Sequence, residues 1–196
     1  MKKGMLALCL LSFSLVMTQE REILSIEFKG LKKTKEQFLR RLLKTKPVST
    51  FDAVLIHKDL ERLNRLPGIA NAKDSLVFKK DGVTVFYLLE ENFTIIPGLR
   101  IATANDGSFA YRLSAFEFNF LGNNQLVGGY YERNVFDSYG AFWEHPFLFS
   151  DKAGLGFNYQ NLTRQEPIFF EEGTKDYRFN SRQIEGQLIL SPNFNN

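Results

Sequence analysis

Two hydrophobic rhythms divide this chain, and they change near Glu90-Glu91-Asn92. Before the change, strand and helix periods are mixed. Leu24, Ile26 and Phe28 alternate with Ser25 and Glu27, which predicts a half-buried strand over residues 22–29, broken by Gly30. Thr34-Lys35-Glu36-Gln37 has the form of a capping box, with the Thr34 hydroxyl accepting from the Gln37 amide. Phe38, Leu39, Leu42 and Leu43 follow at helical spacing, and Pro47 stops that helix. Thr50 caps a second helix over 51–66, with Ala53, Ile56, Leu60 and Leu63 as its stripe. His57, Lys58, Glu61, Arg62 and Arg65 lie mostly off that stripe, and Pro67-Gly68 ends it. A strand over 72–79 and a turn at Asp81-Gly82 lead into 83–89, a run apolar on both faces, as in a central strand.

The order β-α-α-β-β in about 70 residues predicts an α+β unit, with two helices on one face of a three-stranded sheet. With its last strand central, the 72–79 strand becomes an edge. Leu76, Val77 and Phe78 then offer backbone groups to another chain, unless Lys73, Lys79 and Lys80 serve only to blunt that edge.

After the change, short aromatic runs alternate with polar turns. Seven aromatic residues precede residue 93 and 21 lie from Phe93 onward. Strands are predicted over 95–101, 109–120, 126–135, 141–149, 153–161 and 182–190. Turns fall at Asn105-Asp106-Gly107, Gly122-Asn123-Asn124, Asp137-Ser138-Tyr139-Gly140 and Ser150-Asp151-Lys152. Gly128-Gly129 weakens its strand or marks close packing. Strands of about 9 to 11 residues suit an antiparallel transmembrane β-barrel. Tyr130, Tyr131, Tyr139, Phe142 and Trp143 are candidates for its interfacial girdles. A soluble β-sandwich with an aromatic core is the competing arrangement.

Composition narrows the class. A net charge of +3 with 24% charged and 44% hydrophobic residues describes neither a disordered chain nor a strongly cationic nucleic-acid binder. Met1-Lys2-Lys3-Gly4 followed by an apolar run to Met17 reads as a secretory signal peptide over residues 1–18, too short to cross a bilayer as a helix. An N-terminal helix or anchor is the alternative. Cys9 leaves with that signal, so the mature chain has no thiol chemistry. Two histidines, His57 and His145, make a zinc cluster improbable. Glu90-Glu91 and Glu171-Glu172 are adjacent in strands, point to opposite faces and read as solvated ends. Gly154-x-Gly156 lacks the third glycine of a nucleotide fingerprint. No catalytic set, cofactor site or metal site emerges. Lys32, Lys33, Lys35, Arg40 and Arg41 form a basic patch that faces solvent, anionic headgroups or an acidic partner.

The runs Ile26-Glu27-Phe28-Lys29-Gly30-Leu31, Leu60-Glu61-Arg62-Leu63-Asn64-Arg65-Leu66-Pro67-Gly68-Ile69 and Val83 to Glu90 together resemble a POTRA (polypeptide-transport-associated) domain, over residues 21–92. Phe116-Glu117-Phe118-Asn119-Phe120-Leu121-Gly122-Asn123-Asn124, followed by Glu144-His145-Pro146-Phe147, resembles the barrel opening of BamA/TamA-type assembly factors, over residues 93–196. Phe120 is an insertion against that pattern, and Asn124 stands where a second glycine is common. The resemblance implies a non-enzymatic protein of the outer membrane. Its periplasmic POTRA domain would take unfolded outer-membrane clients by strand addition and pass them to the barrel. Membrane lipid is a second partner, and accessory assembly proteins fit the same scheme. A two-partner secretion transporter, the barrel part of a patatin-type phospholipase and a soluble periplasmic β-rich binding module are the alternatives. Barrels of that family have about 16 strands, and this region supplies six or seven, which makes the barrel incomplete and a truncated or partial gene product the expectation.

Overall fold

The computed structural model describes residues 21–104 and 106–190; the expected signal peptide lies outside them. The first part comprises β1 (Ile23–Lys29), α1 (Glu36–Leu42), α2 (Ala53–Asn64), β2 (Ile69–Lys79) and β3 (Gly82–Glu91). The second comprises β4 (Ile95–Thr103), β5 (Phe109–Phe120), β6 (Gln125–Asn134), β7 (Phe136–His145), β8 (Ala153–Phe170) and β9 (Gly173–Leu190).

The first sheet has the order β1-β3-β2, with β3 parallel to β1 and antiparallel to β2. Val83, Val85, Tyr87 and Leu89 of β3 are buried in a core with Phe38, Leu39 and Leu42 of α1 and Ile56 and Leu63 of α2. The opposite face is only partly covered: Phe86 is half-buried and Leu88 exposed. The apolar residues of β3 therefore reflect a central position in a sheet with one covered face.

Three local expectations change. In β1 the register shifts between Ile23 and Ser25, so Ile23 enters the core and Leu24 is exposed. The cap of α2 is Asp52, whose carboxylate accepts from the amides of Val54 and Leu55; Thr50 instead bridges to Glu22. Arg62, read as lying off the helix stripe, is buried because Asp59 beside it is buried too. The Asp59 carboxylate accepts from Arg62 and from the amides of Lys44 (3.0 Å) and Thr45 (2.7 Å). One buried carboxylate thus holds the α1–α2 connection onto α2.

The second sheet runs β4-β5-β6-β7-β8-β9, each strand antiparallel to the next. Asp137, Ser138 and Gly140 lie within β7 and form no turn. The chain reverses at Val135 (φ 62°), which sets Arg133 opposite Asp137 in a 2.9 Å ion pair. Residues 162–181, expected to lie between strands, extend β8 and β9 into a paired ribbon that turns at Glu171-Glu172.

Alternation along the paired strands sorts side chains onto two faces. One carries Leu99, Ile101, Leu113, Val127, Ala141, Phe157 and Leu188. On the same face, Phe109, Tyr111, Tyr131, Tyr139 and Tyr159 form an aromatic row across four strands, with neighbouring rings Tyr111–Tyr131 and Tyr139–Tyr159 6.1 and 6.2 Å apart. Trp143 sits nearer the other end, its indole N–H donated to Gln125 (2.9 Å). The other face is polar: Glu132 accepts from Arg100 (2.8 Å) and Arg112 (3.5 Å), and Arg112 lies 3.8 Å over the Tyr130 ring. Tyr130 and Phe142, read as girdle residues, belong to this face. Phe142 and Phe116 close over Gly128, where any Cβ would strike both rings. The sheet curls round a hollow of about 1030 Å³ lined by Arg112, Tyr130, Glu132 and Gln160. An apolar outer face with an aromatic row and a polar inner face is barrel patterning, not that of a sandwich core.

Replacing Asp59 with Ala should leave the Lys44 and Thr45 amides without their acceptor in the core and remove one partner of Arg62. We expect a loss of about 3 kcal/mol, read as faster amide exchange at Lys44 and Thr45.

Candidate functional site

The chain offers two features built for binding: an open strand edge and a sealed junction. The first half of the β1 edge is covered. Ile23 exchanges bonds with Ser49 (2.8 Å) and Val48 (2.8 Å), and the Ile26 carbonyl accepts from Arg40 (2.8 Å). The edge of β2 is covered only at Ala72, whose N–H and C=O both bond the Asn64 side chain (2.8 and 3.2 Å).

That pair of bonds fixes which residues of β2 face outward. Backbone polarity alternates along an antiparallel strand, and the β2–β3 register is unbroken from Asn71 to Lys79. Asp74, Leu76 and Phe78 therefore point their N–H and C=O outward with Ala72, and among the described residues no hydrogen bond reaches those groups. Val77 has the opposite orientation and bonds toward β3. Of the three predicted edge residues, Leu76 and Phe78 turn their N–H and C=O outward, as Asp74 does, while those of Val77 face β3. The side chains of Val77 and Phe78 are exposed, while Leu76 packs against the core.

The junction lies where β3 passes into β4 through Asn92, Phe93 and Thr94. The Glu91 carboxylate accepts from the amides of Lys33 (2.8 Å) and Thr34 (2.8 Å). Burial pushes its pKa up, but the Thr34 hydroxyl and the amides of Thr34, Lys33 and Lys32 outweigh that and hold it below its ordinary value of 4.5. The loop so gathered grips the β5–β6 turn. Thr34 Oγ1 accepts from Asn119 Nδ2 (2.8 Å), the Lys35 amide donates to the Gly122 carbonyl (2.9 Å), and Lys33 Nζ pairs with Glu117 (2.6 Å). Glu117 also accepts from the Thr94 hydroxyl. Gly122 has φ 71°, and a Cβ there would collide with the Lys33 carbonyl, so this approach requires glycine. A second contact comes from the β7–β8 loop. Phe147 is buried in the first part's core, its ring 5.8 Å from Phe38, and its carbonyl accepts from Arg41 (2.8 Å); Lys44 pairs with Asp151.

The capping box is therefore absent. Lys35 is the N-cap of α1 without a side-chain bond, because the Thr34 hydroxyl is turned toward Asn119. Glu91 is no solvated end; its neighbour Glu90 takes the exposed face. Of the basic patch, Lys33, Arg40 and Arg41 are engaged at the junction or within the first part, and Lys32 and Lys35 stay exposed. Sequence reasoning missed Glu91, Asn119 and Phe147 as a set. Their signal was present in the Asn119-to-Gly122 turn and the Pro146-Phe147 pair.

Replacing Glu91 with Ala should free the 32–35 loop, at about 2 kcal/mol, seen as faster amide exchange at Lys33 and Thr34. Because the folded pKa is depressed, this contribution is complete above pH 4.5 and lost as the pH falls through the lowered value. Exchange measured across that range in the wild-type chain should follow the same course.

Residues 22–92 match the POTRA family, described as a surface antigen variable number repeat. No curated protein matches the chain in sequence. Among solved structures, BamA from Haemophilus ducreyi lacking POTRA domains 1–3 is similar at 19% identity and a TM-score of 0.65, covering 86% of this chain and 32% of that one. CdiB from Acinetobacter baumannii is similar at 16% identity and a TM-score of 0.54, covering 87% of this chain and 34% of that one. CdiB from Escherichia coli follows at 13% and 0.57, covering 86% and 32%. The chain thus spans about a third of the length of the structures it matches. Residues 22–92 thus match the POTRA family model, and the chain shares its fold with the corresponding third of these BamA and CdiB structures.

Proposed function

We propose that this chain acts in outer-membrane protein assembly or translocation, with the POTRA domain in the periplasm and the second sheet in the bilayer. No helix among the described residues is long and apolar enough to cross a membrane, so any crossing is made by strands. The observation that carries the functional reading is the unpaired edge at Asp74, Leu76 and Phe78 on a domain clamped to the barrel rim. An unfolded outer-membrane client adds there as a fourth strand, held by backbone bonds that are indifferent to its sequence. The work is binding and templating, and the client's own folding drives it. The fold likeness to two CdiB structures favours a second reading, a two-partner secretion transporter serving one dedicated passenger.

Proline at Asp74 or at Leu76 should remove an outward amide and block strand addition while β3 keeps its amide protection. Photo-crosslinking from Phe78 to an unfolded barrel client should fall at least tenfold in both variants. Unchanged crosslinking would rule out the edge as the client site. Proline at Val77 is the contrasting case, since it breaks the β2–β3 ladder and should unfold the sheet. Recovery of the chain from membranes only with detergent tests the location, and release by alkaline carbonate would refute it.

A further inference from the structure

We propose that the rim where the POTRA domain meets the barrel is a binding surface for anionic phospholipid headgroups, with Lys32 and Lys35 as its cationic groups. This rests on the membrane reading above. Strand register gives the position. Ile95, Glu117, Val127 and Trp143 lie opposite one another in a single row on the apolar face of the sheet. Glu117 carries Lys33 Nζ, so the 32–35 loop stands about 10 Å from Trp143, two strand spacings along the row. An indole on the apolar face of such a sheet, with its N–H satisfied, marks the water–lipid boundary. The loop is therefore held at headgroup height.

Charge gives the ligand. Four carboxylates at this rim are already satisfied: Glu91 by loop amides, Glu117 by Lys33, Asp151 by Lys44 and Glu36 by Arg40. Among the described residues the Lys32 and Lys35 ammonium groups meet no carboxylate, and both side chains are exposed. Exposed apolar side chains stand on three other connections at this end of the second sheet. Phe93 on the β3–β4 link is 83% exposed, Leu121 beside Gly122 is 56% and Phe149 on the β7–β8 loop is 63%. Large apolar groups interleaved with unpaired lysines suit a surface whose headgroups are anionic and whose acyl chains begin just beneath. An acidic protein would match the lysines but leave the lipid-level row unexplained.

The test uses the full chain in bilayers of phosphatidylcholine containing a minor share of phosphatidylglycerol. Selectivity for spin-labelled phosphatidylglycerol over spin-labelled phosphatidylcholine is read by electron paramagnetic resonance. The wild type should prefer phosphatidylglycerol, and Lys32→Gln and Lys35→Gln should each lower that preference by about fivefold. Tryptophan at Phe93 in a Trp143→Phe background should be quenched by lipids brominated near the headgroup. Inserted protein whose selectivity is unchanged when Lys32→Gln and Lys35→Gln are combined overturns the proposal and leaves the membrane reading intact. Loss of the preference on adding inorganic phosphate also overturns it, in favour of a free-anion site. Protein that washes off the bilayer refutes the membrane reading and this proposal together.

Discussion

The carboxylate of Glu91 sits at the last residue of the central POTRA strand, four residues before the barrel sheet begins. Whatever orients the domain must act across that short link. Glu91 gathers the 32–35 loop by its amides, and the loop then presents a hydroxyl, an amide and an ammonium group to Asn119, Gly122 and Glu117. A single strand connection could swivel. A connection whose end residue also organises the loop that grips the next hairpin cannot do so without breaking several charge-assisted bonds. Phe147 adds an apolar contact from a different barrel loop, so rotation about the polar contact would pull an aromatic ring out of the core.

This clamp gives the open edge its meaning. Of the two edges of the POTRA sheet, β1 is closed over its first half by the 48–51 segment and Arg40, while β2 is sealed only at Ala72. The outward groups of Asp74, Leu76 and Phe78 make the longer open run, and the clamp gives that run a fixed bearing on the second sheet. A flexible tether would supply a binding edge with no such direction.

Much of this was legible in the sequence, and what was not shares a cause. The element order, the central β3 and the edge position of β2 follow from periods of 2 and 3.6 and from turn residues, all local signals. The failures are residues whose partners lie far along the chain. Thr34 has the spacing of a helix cap, yet its hydroxyl serves Asn119, 85 positions away. Glu91 reads as a strand-end charge until the loop folds over it. Asp137 to Gly140 has turn composition, yet it is strand because Arg133 stands opposite Asp137. Leu24 and Ile23 exchange places through one register shift that alternation cannot foresee.

The barrel sheet obeys a constraint that the POTRA sheet does not. In water an unpaired edge is tolerated, as at β2. In hydrocarbon an unpaired edge exposes a full row of backbone groups, each costing several kcal/mol. β4 and β9 are the outer strands of the six, so in a bilayer both must be paired by further strands. The β8–β9 ribbon shows where that requirement stops. Beyond Asn161 it passes the aromatic row, and its exposed Arg164, Gln165, Glu166 and Lys175 suit water rather than lipid. The same backbone physics thus leaves one exposed edge tolerable and makes the others a demand for closure, and the solvent around each decides which.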